Sequence, residues 1–245
     1  VSNLKNSFPE KSITEIRKLT NAFYRNLADL FFEIIKLESI SKKELYRRVS
    51  VDSRDILQNI AKKKQGVVVV MSHTGNWEWI SQRVCFEGID FDDVGVVAKE
   101  MTNPYFEHYF TRIRLRLQKG IAEIIPFKET AKHLAGKRHK ASMIIAIADQ
   151  SPHKDQILYR TTFMNQDTGV FLGPERIALV LNYAVVFCHV KQTNRGFYHI
   201  SFELITDSPS SFPEHGITDT HVRMLEDDIK KQPETWLWSH RRWKY

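Results

Sequence analysis

The spacing of apolar residues changes near residue 66. Before that point, apolar residues recur at helical spacing, most clearly over 12–38. Ser12 and Glu15 form the capping-box pattern that starts many helices. Two shorter helices are predicted at about 42–49 and 53–64. The pattern therefore predicts a helical N-terminal segment over 1–65.

The apolar stripe of the 12–38 helix is rich in aromatic residues, including Phe23, Tyr24, Phe31 and Phe32. One interpretation is a helix that faces the protein core. The alternative is a helix that also touches lipid or a fatty chain, because such helices combine an apolar face with a basic fringe.

After residue 66, apolar β-branched runs alternate with helical patterns. The runs lie at 67–71, 94–98, 122–126, 143–148 and 184–190. The helical patterns lie at about 76–87, 103–119, 128–137, 171–182 and 217–231. Such alternation predicts an α/β fold, with a mostly parallel central sheet and helices on both faces. The alternating stretch 197–205 predicts an antiparallel or edge strand. We expect one domain over 1–245, in which 1–65 is helical and 66–245 forms the α/β part.

Two of the predicted strands end in polar residues, Ser72-His73 and Asp149-Gln150. Function in open α/β sheets lies at the carboxyl ends of strands. Gly75 permits a tight turn after His73, and Asn76 is a suitable helix cap. Glu78 then falls in the first helical turn.

From this position, we expect the Glu78 carboxylate to reach one ring nitrogen of His73. This contact would leave the other nitrogen free to accept a proton. Ser72 should point to the opposite side of the strand, so no serine nucleophile is evident. The alternatives for His73 are a core histidine that satisfies a carbonyl, or a metal ligand together with Glu78 and Asp149. The metal interpretation has little support, because the sequence has no His-x-x-x-His pair and no cysteine cluster.

The formal net charge of +7 favours anionic partners, such as nucleic acid, anionic lipid headgroups or an acidic carrier protein. The two cysteines, Cys85 and Cys188, lie in apolar contexts and predict buried thiols in a reducing compartment. No segment approaches the roughly 18 apolar residues of a membrane span, and no signal peptide is evident. The chain begins at Val1 rather than Met, so the sequence leaves open a membrane anchor upstream of it.

The segment H73-T-G-N-W-E78 resembles the His-x4-Asp/Glu motif of the glycerolipid acyltransferase superfamily. The residues of this segment are most similar to one branch of the superfamily, the lipid A late acyltransferases of the lauroyl and myristoyl transferase type. Further blocks resemble that family in the same order along nearly the whole chain. They are N3-L-K-N-S-F-P-E10, N103-P-Y-F with R114-L-R116, I147-A-D149-Q150, G173-P-E-R-I-A178 and P233-E-T-W-L-W-S-H-R-R-W-K244. The chain departs from the family at S151-P-H-K and Y159-R-T-T-F-M, where the family commonly has Asp-Tyr-Gly and Val-Pro-Phe-Phe.

This resemblance implies acyl transfer from an acyl carrier protein thioester to a hydroxyl of a lipid A precursor. His73 would be the general base and Glu78 would orient it, with no covalent intermediate, no metal and no cofactor. The resemblance also implies a group of substrate-binding residues: Asn76 at a helix start, Arg114, Arg116, Asp149, Gln150, Glu175 and Arg176. Arg114 and Arg116 are two positions apart and should not face the same way on a helix, so one of them is expected to be functional.

The implied partners are the carrier protein, a lipid acceptor and a membrane surface, and no nucleic acid. The implied location is the cytoplasmic face of the inner membrane of a Gram-negative bacterium. Because the segment 3–10 resembles the one that follows the family's amino-terminal membrane helix, the resemblance also implies an anchor upstream of this chain. A thioesterase of the same architecture, an acyltransferase for another lipid (an amino-acid lipid or a mannosylated phospholipid) and a non-enzymatic binding module remain alternatives. Acyl chain length, and carrier protein versus coenzyme A as the donor, stay open.

The carboxyl-terminal segment is rich in aromatic and basic residues: Trp236, Trp238, His240, Arg241, Arg242 and Trp243. It could pack the end of the chain onto the core. It could instead form a basic-aromatic patch at a membrane interface or against an acidic carrier.

Overall fold

The computed structural model describes residues 2–136 and 140–244. The last position of the predicted helix 128–137 lies outside these residues, as do both ends of the predicted domain 1–245.

Helices and strands alternate along the middle of the chain. The helices are Ser2–Ser7 (α1), Ile13–Lys36 (α2), Lys42–Arg48 (α3), Arg54–Lys62 (α4), Trp77–Cys85 (α5), Pro104–Leu115 (α6), Thr130–Ala135 (α7), Gly173–Leu181 (α8) and Gly216–Lys231 (α9). The strands are Val49–Asp52 (β1), Val67–Met71 (β2), Asp93–Ala98 (β3), Ala122–Pro126 (β4), Ser142–Ile147 (β5), Tyr159–Phe163 (β6), Gln166–Val170 (β7), Ala184–Asn194 (β8) and Phe197–Thr206 (β9).

In the described residues, seven strands form one sheet in the order β1-β9-β8-β2-β5-β3-β4. The pairs β2–β5, β2–β8, β3–β5, β3–β4 and β1–β9 are parallel. Among the described strands of this sheet, only the pair β8–β9 is antiparallel. The predicted α/β fold with a mostly parallel sheet is therefore confirmed. The 197–205 strand is antiparallel as expected, but β1 covers it, so it does not form the edge.

Three elements were missed by the sequence patterns: α1, β1 and the hairpin β6–β7. β1 has only four residues, so its alternation of buried and exposed positions is too short to stand out between two predicted helices. It lies within the predicted helical segment 1–65 and joins the sheet beside β9. The N-terminal segment is therefore not purely helical.

The continuous apolar run of β2 follows from burial on both sheet faces. Val67, Val69 and Met71 belong to the core that includes Trp79 of α5. Val68 and Val70 belong to the opposite core, which includes residues of α7, α8 and α9. Cys85 and Cys188 are buried free thiols, as predicted.

The two central strands β2 and β5 form a topological switch point. The helix after β2, α5, packs on one face, and α8, which follows β5, packs on the other. A crevice opens at the carboxyl ends of strands that diverge in this way. Met71 pairs with Ile147 in the sheet register, so the residues two positions further on, His73 and Asp149, leave the sheet side by side.

The capping box of α2 is confirmed. The Ser12 hydroxyl accepts a hydrogen bond from the Glu15 backbone N–H, and the Glu15 carboxylate accepts one from the Ser12 N–H. The helix buries Phe23 and Leu30 but leaves Phe31 and Phe32 exposed, although both belong to the predicted apolar stripe. In residues 2–136 and 140–244, no helix has both the length and the apolar character needed to span a bilayer.

Candidate active site

The carboxyl ends of β2 and β5 bring a histidine onto a buried aspartate. His73 Nδ1 lies 2.6 Å from Asp149 Oδ1, and the His73 backbone N–H donates to Asp149 Oδ2 at 2.9 Å. The Asp149 side chain is 3% exposed, whereas that of His73 is 15% exposed. One carboxylate therefore holds both the backbone and the ring of the histidine, while some of the ring remains accessible.

The contacts of the ring define its tautomer. A carboxylate at Nδ1 requires the proton on Nδ1, so Nε2 carries the lone pair. The side-chain amide of Gln150 lies 3.3 Å from His73 Nε2 and can donate to it. The Trp77 ring meets the imidazole edge-on, with centroids 4.9 Å apart. The result is a fixed imidazole whose Nε2 is available as a base.

The predicted contact between Glu78 and His73 is wrong. Glu78 instead accepts two hydrogen bonds from Arg114, with Arg114 Nε 2.8 Å from Glu78 Oε2 and Arg114 Nη2 on the other oxygen. Asp149 takes the place at Nδ1 that we expected Glu78 to occupy. The helical turn that presents Glu78 points its carboxylate toward α6, and sheet pairing, which the local sequence does not encode, supplies Asp149.

The buried Asp149 carboxylate is kept ionised by its neighbours. Burial alone raises its pKa, but the charge of His73 and the hydrogen bonds from His73 and Trp236 outweigh burial and lower the pKa to about 2. Trp236 Nε1 donates to Asp149 Oδ2 at 2.8 Å. Arg242, itself buried, donates to the Asp149 backbone carbonyl. A fixed anion beside Nδ1 favours the imidazolium that forms when Nε2 accepts a proton.

The carboxyl-terminal segment belongs to this site. Thr74 and Trp236 form an antiparallel bridge, flanked by backbone hydrogen bonds from Gly75 N to Thr235 O (2.9 Å) and from Leu237 N to His73 O (3.1 Å). Backbone on both sides of the His73 turn is therefore tied to the segment.

The aromatic residues of the segment lie in the core. Trp236 and Trp238 are buried, and their rings meet edge-on at 4.7 Å. Phe8 packs on Trp238, and Trp243 donates to Thr168 Oγ1 at 2.8 Å. The packing interpretation is confirmed for Trp236, Trp238 and Arg242. The interpretation of the segment as an exposed basic-aromatic patch is wrong for these three residues.

Arg114 and Arg116 have different surroundings, which the sequence could not distinguish. Arg114 lines the cavity beside His73 and binds Glu78. Burial alone lowers the pKa of Arg114, but the hydrogen bonds and charge of Glu78 raise it overall. Arg116 faces away and donates to the carbonyls of Leu37 and Ile40 at the end of α2. Of the two predicted substrate-binding arginines, the structure brings only Arg114 to the site.

Asn76 is the predicted helix cap, and its Oδ1 accepts from Trp79 N at 3.0 Å. Its amide donates to Glu33 Oε2 at 2.9 Å, and the side chain is fully buried. The structure therefore does not bring the Asn76 side chain to the cavity, because both ends of its amide are occupied inside the core. Gly75 has φ +58°, and a Cβ there would meet the Tyr198 ring at 2.7 Å, which explains a glycine at this turn.

Glu175 and Arg176, the two charged residues of the 173–178 block, also have different surroundings. Glu175 is buried and accepts hydrogen bonds from the backbone N–H and hydroxyl of Thr218 near the start of α9. It caps the start of α9, and the structure does not bring it to the cavity. Arg176 is exposed and lines the cavity.

A cavity of about 1150 Å³ opens over the carboxyl ends of β2, β5, β3 and β4. This exceeds the roughly 300–1,000 Å³ of ordinary small-molecule sites. One region is polar, with Glu78, Gln82 and Arg114 between α5 and α6. The other region is apolar, and its walls come mostly from α7 and α8: Ala131, Leu134, Ala135, Pro174, Ile177, Val180 and Leu181. His73 and Gln150 line the same cavity.

Sequence reasoning missed Trp236 and Arg242 as neighbours of Asp149. A signal was present, since the terminal segment is unusually rich in tryptophan and arginine. However, its composition is the same for a surface patch and for a buried brace. Only the bridge to Thr74 distinguishes the two.

The site combines a histidine whose Nε2 carries a lone pair, a buried anion at its Nδ1 and a large cavity with an apolar wall. These features are those of an α/β protein with a candidate histidine base at the carboxyl edge of the sheet. A sequence profile of the bacterial lipid A biosynthesis acyltransferases matches residues 1–245. The chain belongs to this family, so it is an acyltransferase that has an acyl donor and a lipid acceptor. A comparison with curated proteins found no match.

Proposed function

We propose that the protein transfers a fatty acyl group from an acyl carrier protein thioester to a hydroxyl of a lipid A precursor or a related membrane lipid. The observation that carries the proposal is the His73–Asp149 pair at the mouth of a cavity with an apolar wall. A base and an apolar chain site are the two components that acylation of a hydroxyl requires. The reaction takes place at the cytoplasmic face of an inner membrane, where both the donor and the lipid acceptor are available.

His73 Nε2 removes the proton from the acceptor hydroxyl as its oxygen attacks the thioester carbonyl carbon. Asp149 holds the ring through Nδ1 and favours the imidazolium. The tetrahedral intermediate then collapses, the carbon–sulfur bond breaks, and the thiolate receives the proton from His73. The products are an ester and a free thiol, and the protein ends in its starting state.

Gln150 marks the place of the acceptor hydroxyl. Its amide contacts His73 Nε2 at 3.3 Å, which is a long hydrogen bond. A substrate hydroxyl can replace it on the nitrogen, and the amide can then donate to that oxygen. This supports Gln150 as a substrate-binding residue.

Arg114 and Glu78 form a neutral pair beside the base. Two of the five guanidinium N–H groups go to Glu78, so others remain for the carbonyl oxygen as it becomes an oxyanion. The two hydrogen bonds to Glu78 fix the plane of the Arg114 guanidinium. Because the carboxylate cancels the cation, we assign this pair to oxyanion stabilisation rather than to phosphate binding.

The apolar region of the cavity, between α7 and α8, takes the acyl chain. Its walls are the side chains of Leu134, Ile177 and Leu181, with Ala131 and Ala135 widening the space. Arg176 at the α8 side can meet a lipid phosphate at the rim.

The test is transfer of a labelled acyl group from acyl carrier protein to a lipid A precursor, with wild type and His73→Ala. Transfer should be lost in His73→Ala while circular dichroism shows an intact fold. His199→Ala, which removes a histidine that pairs with Asp52 elsewhere on the sheet, should keep transfer. Full activity of a folded His73→Ala variant would rule out the mechanism.

Omitting the acceptor separates transfer from hydrolysis. Free fatty acid released at the same rate with and without acceptor would identify a thioesterase instead. Mass spectrometry of membrane lipids from a deletion strain identifies the acceptor, since the missing product lacks one acyl chain.

A further inference from the structure

Helix α2 carries an apolar stripe on the side that faces solvent. Tyr24, Phe31, Phe32 and Ile35 are exposed by 58%, 63%, 69% and 48%. Relative to Tyr24 the others follow at i+7, i+8 and i+11, so the four side chains share one side of the helix. These four residues are the α2 stripe. The opposite side of α2 buries Phe23 and Leu30 in the core.

Large exposed side chains grouped in this way indicate an interaction surface. Scattered apolar residues are normal on a protein surface, but a contiguous patch indicates a partner. Three of the four are aromatic, and two adjacent rings, Phe31 and Phe32, contact each other edge-on with centroids 5.9 Å apart.

A row of cations borders the α2 stripe. Lys18, Arg25 and Lys36 are all exposed, and their spacing of 7 and 11 residues places them along one flank of the helix. Asp29, the acidic residue nearest this flank, forms an ion pair with Arg195. The flank is therefore positively charged along its length.

We propose that the α2 stripe inserts into the interface of an anionic lipid bilayer, with the cationic row on the lipid headgroups. A helix with aromatic and aliphatic side chains on one side and Lys or Arg beside them is typical of interfacial membrane helices. A second copy of the chain fits less well, because an antiparallel twofold contact through the stripe would bring the two cationic rows close together.

A hydrogen bond and an ion pair connect the residues just after α2 to the α6 segment at the cavity wall. Arg116 donates to the Leu37 carbonyl just after α2, and Arg112 pairs with Glu38 at 2.7 Å. Both arginines belong to the α6 segment that also carries Arg114 at the cavity wall. Docking of α2 therefore fixes the cavity relative to the membrane that holds the acceptor. The inference rests on the proposed function in this respect, since the acceptor is taken to be a membrane lipid.

The first experiment is cosedimentation of the whole chain with phosphatidylcholine vesicles, with and without phosphatidylglycerol. Wild type should bind the anionic vesicles, and binding should fall as salt is raised. The affinity of the double variant Phe31→Asp/Phe32→Asp for these vesicles should be lower by about tenfold or more, because two inserted rings are replaced by anions. Since both side chains are exposed, its thermal unfolding should match that of wild type. Ile89→Asp is the matched control, because Ile89 is 67% exposed and lies outside α2.

A charge variant tests the second half of the proposal. Lys18→Glu/Arg25→Glu/Lys36→Glu should remove the preference for anionic over neutral vesicles. Equal vesicle binding by wild type and Phe31→Asp/Phe32→Asp would overturn the proposal. So would sedimentation velocity showing a wild-type dimer that this variant separates, because the occupant would then be a second copy.

Membrane docking and catalysis fail separately in these assays. His73→Ala should bind vesicles like wild type. Phe31→Asp/Phe32→Asp should transfer acyl groups to detergent-solubilised acceptor at the wild-type rate, but to vesicle-embedded acceptor about tenfold more slowly. Loss of activity in detergent as well would contradict a docking role for the stripe.

Discussion

His73 Nδ1 and Asp149 Oδ1 lie 2.6 Å apart, although 76 positions separate the two residues in the chain. The contact exists because β2 and β5 are neighbours in matched register, and each residue follows its strand by the same two positions. The pair explains how a histidine at a strand end acquires a defined tautomer.

Replacing Asp149 by Asn should lower kcat by about 10³- to 10⁴-fold. The amide keeps the shape of the side chain but can donate to Nδ1, which favours the tautomer with its proton on Nε2. Steady-state kinetics with acyl carrier protein thioester measure the effect. Asp52→Asn removes the carboxylate from another histidine, His199, and should leave kcat unchanged. Wild-type kcat in Asp149→Asn would exclude Asp149 as the orienting group.

Arg114→Ala and Arg116→Ala should give opposite profiles. Arg114→Ala leaves the buried Glu78 carboxylate without its fork and should lower kcat/KM by about 100-fold or more. Arg116→Ala removes donors from the Leu37 and Ile40 carbonyls. It should instead lower the free energy of unfolding by about 1–3 kcal/mol with a smaller effect on kcat. Urea unfolding and kinetics on both variants test the distinction. Equal losses of activity would contradict the assignment of Arg114 alone to the site.

Trp236→Phe should impair catalysis more than Trp238→Phe. Both indoles are buried and both donate one hydrogen bond, but Trp236 donates to Asp149 Oδ2 and Trp238 to the Pro233 carbonyl. Each change should cost about 1–3 kcal/mol of stability, because an acceptor loses its partner.

The measurement that separates positioning from stability is the pKa of Asp149, followed by NMR of its side-chain carboxyl carbon. It should rise from about 2 toward the ordinary value of 3.8 in Trp236→Phe and stay low in Trp238→Phe. Unchanged Asp149 titration in Trp236→Phe would remove Trp236 as a positioning residue.

His221 should make the protein less stable as pH falls from about 6.5 to 4. Burial, followed by the charge of Arg242, lowers its pKa to about 4, so the unfolded chain binds a proton that the folded protein does not. The slope from this group is about 1.4 kcal/mol per pH unit within that window. His221→Leu should reduce the dependence of the free energy of unfolding on pH within this window. Urea unfolding at several pH values measures the effect.

His189 should contribute to stability with the opposite dependence on pH. Its contacts with Asp228 and Glu203 outweigh burial and raise its pKa, so its contribution is fully present below about 6.5 and is lost as pH rises through the raised value. His189→Gln should therefore remove stability at low pH more than at high pH.

A His221→Leu variant with the wild-type slope would show that His221 is not buried as a neutral ring.

The sequence could predict the features that depend on neighbours within about one turn or one strand. The capping box at Ser12, the Asn76 cap and the strand 67–71 all rest on contacts or periodicities over a few positions, and each prediction is confirmed. The placement of His73 at a strand end follows from the same local pattern. The short strand β1 was missed because its alternation covers only four residues, between two predicted helices.

The sequence by itself determined the α/β pattern, the turn that exposes His73 and the residues from which an active site could be made. Only the tertiary structure decided how those residues pair. Asp149 rather than Glu78 meets His73 because strand order brings β5 beside β2. Arg114 rather than Arg116 meets Glu78 because only one side of α6 faces α5. Such choices depend on which elements are neighbours in space, and contacts between residues far apart in the chain leave no periodic signal in the sequence.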